Sequence, residues 1–201
     1  PKLLPTEQMA EFANSGCLFF EGLIDEDINK EFLNDIGHTD IDDVDNIQHY
    51  FQNIKSSSSI PRIPAGTALK DAYPLNSPLE KIFKNEIVSG AINSLVGSKT
   101  VVDHQFLHLT FPSKYYAKAN QRQMSQVNHQ DSTIDPRTTF DIQLFYFPTA
   151  VTKEMGGTRY IPGTHLRIVN EMGIAKYQNI KGQKNIVCKA GTIGIFHNGL
   201  W

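Results

Sequence analysis

His129 and Asp131 stand two residues apart in the stretch VNHQDSTID, Val127 to Asp135. In an extended chain residues i and i+2 project from one face, so an imidazole and a carboxylate there would reach toward a common point. That arrangement suits two metal ligands, although any polar loop can hold such a pair by chance. A third residue of the right type, His197, ends the apolar run GTIGIF and precedes NGLW. Two histidines and one carboxylate, two from a local motif and one from a distant strand, make up the facial triad of non-haem iron sites, which leaves three coordination positions open. His129, Asp131 and His197 are the candidates for that set. Of the other histidines, His38 and His49 fall in a polar N-terminal third and are expected at the surface. His104 and His108 share one face of an expected strand, but that face need not be the interior.

The whole chain bounds what these residues can serve. Its 201 residues suffice for one domain with a sizeable core. A composition that is 40% hydrophobic and 20% charged is that of an ordinary globular protein. Basic and acidic residues number 19 and 21 with no Lys/Arg cluster, which argues against nucleic acid as a partner. No apolar run approaches the roughly 20 residues that span a bilayer, and the opening PKLLPTEQ lacks the apolar segment of a secretory signal. No membrane partner is expected, and the chain reads as cytoplasmic. Cys17 and Cys188 are too few and too far apart for a disulfide framework or a cysteine zinc site, so two buried free thiols are expected.

Elements that could position the candidates follow from periodicity and punctuation. Thr6 is placed to cap a helix carrying Met9 and Phe12 and ending near Gly16; Asp25 is placed to cap another with Ile28, Phe32 and Ile36 on one face, stopped at Gly37. From His38 to Pro74 the pattern dissolves into an acidic run and SSSS, too irregular for a calcium loop. Ser77, Pro78 and Glu80 read as a capping box that launches a helix through Ile82, Phe83 and Ile87 toward Gly97. Thereafter VVDHQFLHLTF, TFDIQLFYF, GTRYI, NIVCKA and GTIGIF read as strands between Gly- and Pro-bearing turns. A helical part over about 1–97 and strands over about 98–201 predict an α+β, mainly β, single domain whose second part is a sandwich or barrel.

The text around the candidates is more specific than the triad alone. NHQDST, then EMGGTRYIPGTH from Glu154 to His165, then AGTIGIFHNGLW, together with the opening LPTEQMAEFANSGCLFFEGLI, resembles the phytanoyl-CoA dioxygenase-like family of Fe(II)/2-oxoglutarate-dependent oxygenases, in the same order over nearly the whole chain. The resemblance implies a double-stranded β-helix, a cupin-like jelly-roll, flanked by N-terminal helices. It implies Fe(II) held by His129, Asp131 and His197, with 2-oxoglutarate and O2 as cosubstrates and oxidative decarboxylation to succinate and CO2 driving hydroxylation of a small molecule. Asp131 is a carboxylate where halogenating relatives have a small residue, which favours hydroxylation. Gln105, Gln143 and Phe145 are the candidate cosubstrate contacts. His165 is expected to be structural or pocket-lining, and the segments His38 to Pro74 and Tyr115 to Gln126 are lid candidates. One departure stands out. The family's arginine for the distal carboxylate of 2-oxoglutarate would lie beyond Trp201, so either residues are missing from the C-terminal end or Arg137 or Arg159 takes that part. Two rival readings remain: a non-catalytic binding module of the same fold, and a cupin-like metal-dependent hydrolase or isomerase.

Overall fold

The structure, a computed structural model, describes residues 1–39, 52, 54, 60–111, 128–131, 140–167, 171–174, 177 and 179–201. The segment from Tyr115 to Gln126, Arg137, and the acidic run from Asp40 lie outside them.

Helix α1 spans Thr6–Ser15 and buries Phe12. Its N-cap is Pro5 rather than Thr6, which is already the first helical residue and makes no side-chain cap. Gly16 ends it in the left-handed conformation at φ 78°, donating its N–H to the Phe12 carbonyl, and turns the chain directly into strand β1, Cys17–Phe20. Helix α2, Glu26–Asp35, follows Asp25 and buries Phe32 and Asn29. Asn29 is a buried polar residue with both ends satisfied: its amide donates to the Ile24 carbonyl and its oxygen accepts from the Tyr146 hydroxyl.

The helix expected from Pro78 to Gly97 is two helices, α3 (Pro78–Lys84) and α4 (Glu86–Val96). Asn85 separates them. Its backbone leaves the helical region at ψ 132°, and its side chain accepts from the N–H groups of Ile87 and Val88, so one residue closes α3 and caps α4. At the start of α3, Ser77 Oγ accepts from Glu80 N as expected, whereas the Glu80 carboxylate reaches Asn76 N instead of closing the box on Ser77.

Strands β2 (Thr67–Ala68) and β3 (Val101–Val102) form a short antiparallel pair. The strand expected over 101–111 stops there. Residues 103–111 keep an alternation of burial, with Phe106 and His108 exposed and Leu107 and Leu109 half-buried, but carry no ladder among the described residues. Strand β4 (Ile142–Phe147), a short β5 (Arg159–Tyr160) paired with β6 (Lys184–Asn185), and β7 (Thr192–His197) complete the set.

The centre is a three-stranded antiparallel sheet ordered β1-β7-β4. Residues of β7 from Thr192 to Phe196 are all buried, because both faces are covered. On one face Ile193 and Ile195 pack with Phe12, Leu18, Ile82, Val88 and Ala91 beneath the helices. On the other, Phe196 packs with Cys17, Ile186 and Cys188 and is joined by Phe19, Phe145, Phe147 and Tyr160. Both cysteines are free and buried, as expected. Complete burial of an Ile contributes roughly 1.5–3 kcal/mol, so the helical face is a principal source of stability. The fold is thus mixed helices and antiparallel sheets. No helix among the described residues is long and apolar enough to cross a membrane.

Candidate metal and cosubstrate site

His129 and Asp131 do meet: Nε2 of one lies 3.1 Å from Oδ1 of the other, with both side chains partly exposed. The second oxygen of Asp131 accepts a hydrogen bond of 2.5 Å from Gln143 Nε2. Gln143 is the second residue of β4, opposite Phe196 of β7, and alternation puts it on the face that carries Phe145 and Phe147. The same Gln143 nitrogen donates to Asn198 Oδ1 at 3.0 Å. A separate bond, from Gln130 Nε2 to the Gly199 carbonyl at 2.5 Å, ties the loop to the turn after β7. The short segment 128–131 is therefore fastened to the aromatic face of the central sheet at the end where β4 starts and β7 finishes.

His197 is not brought to this pair. It pairs with Ile142 across the sheet, on the face of Ile193 and Ile195, and its ring lies near Phe12 (centroids 6.4 Å apart), Phe140 (5.2 Å) and His165 (4.9 Å). Its backbone N–H donates to the Gly16 carbonyl, and its Nδ1 accepts from Gly199 N at 2.9 Å. Among the described residues no three His, Cys, Asp or Glu side chains are grouped closely enough to hold a metal. Strand parity separates them: Gln143, which holds Asp131, shares one face with Phe196, and His197 lies on the other. Burial, and then the neighbouring His165, push the His197 pKa below its ordinary value against a smaller opposing pull from Asp141.

His165 takes the structural place expected of it. Its Nε2–H donates to the Ala13 carbonyl at 3.0 Å, anchoring the PGTH turn on α1. Glycine is required at Gly16 beside it, since a Cβ there would lie 2.5 Å from His165 Nδ1. Of the cosubstrate candidates, Gln105 is engaged elsewhere: its Oε1 accepts from the Tyr73 hydroxyl at 3.0 Å and its amide donates to the Pro61 carbonyl at 2.5 Å. Tyr73 is stacked on Phe83, and burial raises its pKa to about 12. Phe145 is half-buried, its ring 4.9 Å from Phe196 and 6.2 Å from Phe147. His104 and His108 flank the exposed Phe106 ring on the outward side of their segment. Arg159 lies on β5, opposite Asn185. The part taken by Asn198 is not legible in the sequence, because Asn-Gly signals a turn and nothing local says what the side chain of such a residue will meet.

The donor chemistry of the meeting pair, one imidazole and one carboxylate beside Gln143 of the central sheet, suits a first-row divalent cation such as Fe(II). His129 Nε2 and Asp131 Oδ1 are the atoms that could hold it.

Comparison with known proteins gives a fold neighbour and a family. No curated protein matches the chain. Among solved structures, HygX from Streptomyces hygroscopicus, whose crystal structure has nickel and 2-oxoglutarate bound, superimposes with a TM-score of 0.57 at 12% identity, covering 98% of this chain and 79% of its own. That likeness is one of fold. The family model for phytanoyl-CoA dioxygenase (PhyH) matches residues 12–201, from the first buried aromatic of α1 to Trp201. The chain belongs to the phytanoyl-CoA dioxygenase family.

Proposed function

We propose that this protein is an Fe(II)/2-oxoglutarate-dependent dioxygenase that hydroxylates a small molecule in the cytoplasm, on a jelly-roll scaffold. The observation that carries the reading is the opposed pair His129 Nε2 and Asp131 Oδ1 at 3.1 Å, set on the aromatic face of the central sheet in a chain of this family. The chemistry supplied by bound Fe(II) is the activation of O2 with 2-oxoglutarate, giving succinate and CO2 while a substrate C–H becomes C–OH.

The chain's own residues have definite parts in this reading. Asp131 brings the single negative charge among the proposed ligands, and His129 a neutral donor. Phe145, next but one to Gln143 on β4 and on the same face, forms with Phe147 and Phe196 the apolar layer against which Gln143 is set. His197 is the third ligand of the proposed set, as the resemblance implies, and reaching His129 and Asp131 takes its ring away from Phe12 and His165. Binding of 2-oxoglutarate by HygX supports the choice of cosubstrate, as does family membership.

The test is anaerobic loading with Fe(II) and 2-oxoglutarate, admission of O2 and measurement of succinate. Release of succinate that needs Fe(II), and that disappears in Asp131→Ala, is the expected result. One specific observation favours the rival, a non-catalytic binding module: only two donors meet among the described residues. Metal and 2-oxoglutarate binding without any succinate would establish that rival and sink the dioxygenase. Turnover undiminished in Asp131→Ala would remove this carboxylate from the metal.

A further inference from the structure

We infer that Gln143 is the positioning residue for Asp131, holding one carboxylate oxygen so that the other faces His129; this rests on the metal-site reading above. A carboxylate on a loop is free to turn about its last side-chain bond, and a ligand that turns is a poor one. Here Gln143 Nε2 donates to Asp131 Oδ2 at 2.5 Å, which leaves Oδ1 directed at His129 Nε2. Gln143 is itself held from behind. Its nitrogen also donates to Asn198 Oδ1 at 3.0 Å, and the Asn198 backbone N–H donates to the Asp141 carbonyl at 3.2 Å. An unbroken run of hydrogen bonds therefore leads from the turn after β7, through Asn198 and Gln143, to the plane of the Asp131 carboxylate.

The donor inventory excludes the cosubstrate contact expected from sequence. A primary amide has two N–H groups. Both are spent, one on Asp131 and one on Asn198, and what remains of Gln143 is an acceptor oxygen, which a keto acid's carboxylate or carbonyl oxygen would not approach. Gln143 could bind 2-oxoglutarate only by releasing Asp131 or Asn198. The loop itself does not depend on Gln143, because Gln130 ties it independently to the Gly199 carbonyl. Losing Gln143 should therefore disorient the carboxylate without detaching the loop.

The experiment compares the wild type with Gln143→Met, which keeps the length of the side chain and removes both donors, and with Asn198→Ala, which leaves β4 untouched. Mn(II), a redox-stable divalent probe, is titrated calorimetrically into each metal-free protein, and 2-oxoglutarate is then titrated into the Mn(II)-saturated form. Gln143→Met should bind Mn(II) about 10–100-fold more weakly, the usual effect of removing a group that orients a ligand, and Asn198→Ala should weaken binding by a smaller factor. Affinity of the saturated form for 2-oxoglutarate should be unchanged in both, a split that general loosening of the sheet would not produce. Wild-type affinity for Mn(II) in Gln143→Met with weaker 2-oxoglutarate binding would overturn the inference in favour of a cosubstrate contact and leave the proposed function standing. A wild type that binds no Mn(II) would overturn both. Should Gln143→Met fail to fold, Mn(II) affinity undiminished in Asn198→Ala would still overturn the positioning run.

Discussion

At the scale of single residues, His197 shows how an aromatic, half-buried setting governs an ionisable group. Its ring sits among Phe12, Phe140 and His165, so a proton on it would be both poorly solvated and close to another imidazole, and its pKa is lowered. In the unfolded chain it would titrate near the ordinary 6.5. Below that value the unfolded chain takes up the proton more readily than the folded one, so the stability tied to neutral His197 is complete above about pH 6.5 and declines as the pH falls through the interval down to the lowered folded value. Urea unfolding of the metal-free protein at pH 8 and pH 5.5 should show a loss of midpoint on acidification that is smaller in His197→Phe; an equal loss in the two proteins would assign the acid sensitivity to other groups. The pairing of His129 with Asp131 was legible in the sequence because i and i+2 share a face in any extended segment. The face taken by His197 was not. GTIGIF is apolar throughout, as befits a strand covered on both sides, so no alternation in the text says which way its last residue points. The bond from Gln143 to Asp131 was equally hidden, since it joins a strand to a loop whose position only the fold decides.

At the scale of elements, the joint between β1, α2 and β7 depends on one glycine. Gly191 has φ 76°, accepts from Ile24 N, and donates to the Phe147 carbonyl, which sets β7 in register beside β4. A Cβ there would lie 2.2 Å from the Ile24 carbonyl oxygen. Gly191→Ala meets both a left-handed backbone and a backbone collision, so it should cost at least the roughly 1–3 kcal/mol of local strain, seen as a lower urea midpoint with an unchanged slope; an unaltered midpoint would show that this junction yields easily. Glycine and asparagine were visible in the sequence as punctuation, but their grammar was only half readable. Gly16 and Gly37 end helices as expected, with positive φ. Asn85 is not legible as a break, because the apolar spacing of Ile82, Phe83 and Ile87 runs through it, and periodicity cannot show that a cap-forming residue has reset the backbone. The segment 103–111 departs in the opposite sense: it alternates in burial, yet alternation requires only a two-sided environment, whereas a strand requires a partner, and 103–111 meets none among the described residues.

At the scale of the whole molecule, the central sheet is a shared wall. β1 and β4 both pair with β7, so Cys17 aligns with Phe196, and Gln143 aligns with it from the other side. One face of these three strands holds the helical core and the other holds the aromatic cluster that ends at Asp131, so neither cluster can dissolve without removing a wall of its neighbour. Cooperative unfolding follows, and neighbouring residues of β7 test it from opposite sides. Ile195 is fully buried on the helical face and Phe196 nearly so on the aromatic one. Truncation should cost about 2–5 kcal/mol for Ile195→Ala and about 3–5 kcal/mol for Phe196→Ala. Far-UV circular dichroism follows mainly the helices, while the fluorescence of Trp201, the sole tryptophan, follows the end of β7, where Trp201 N donates to Thr164 Oγ1 and its carbonyl accepts from Ile161 N. Each variant should lower the midpoint reported by both probes equally, with the two transitions still superimposed. If Phe196→Ala moved the fluorescence transition alone, the aromatic face would be an independently unfolding layer, and the positioning of Asp131 would rest on a local stability that the helices do not underwrite.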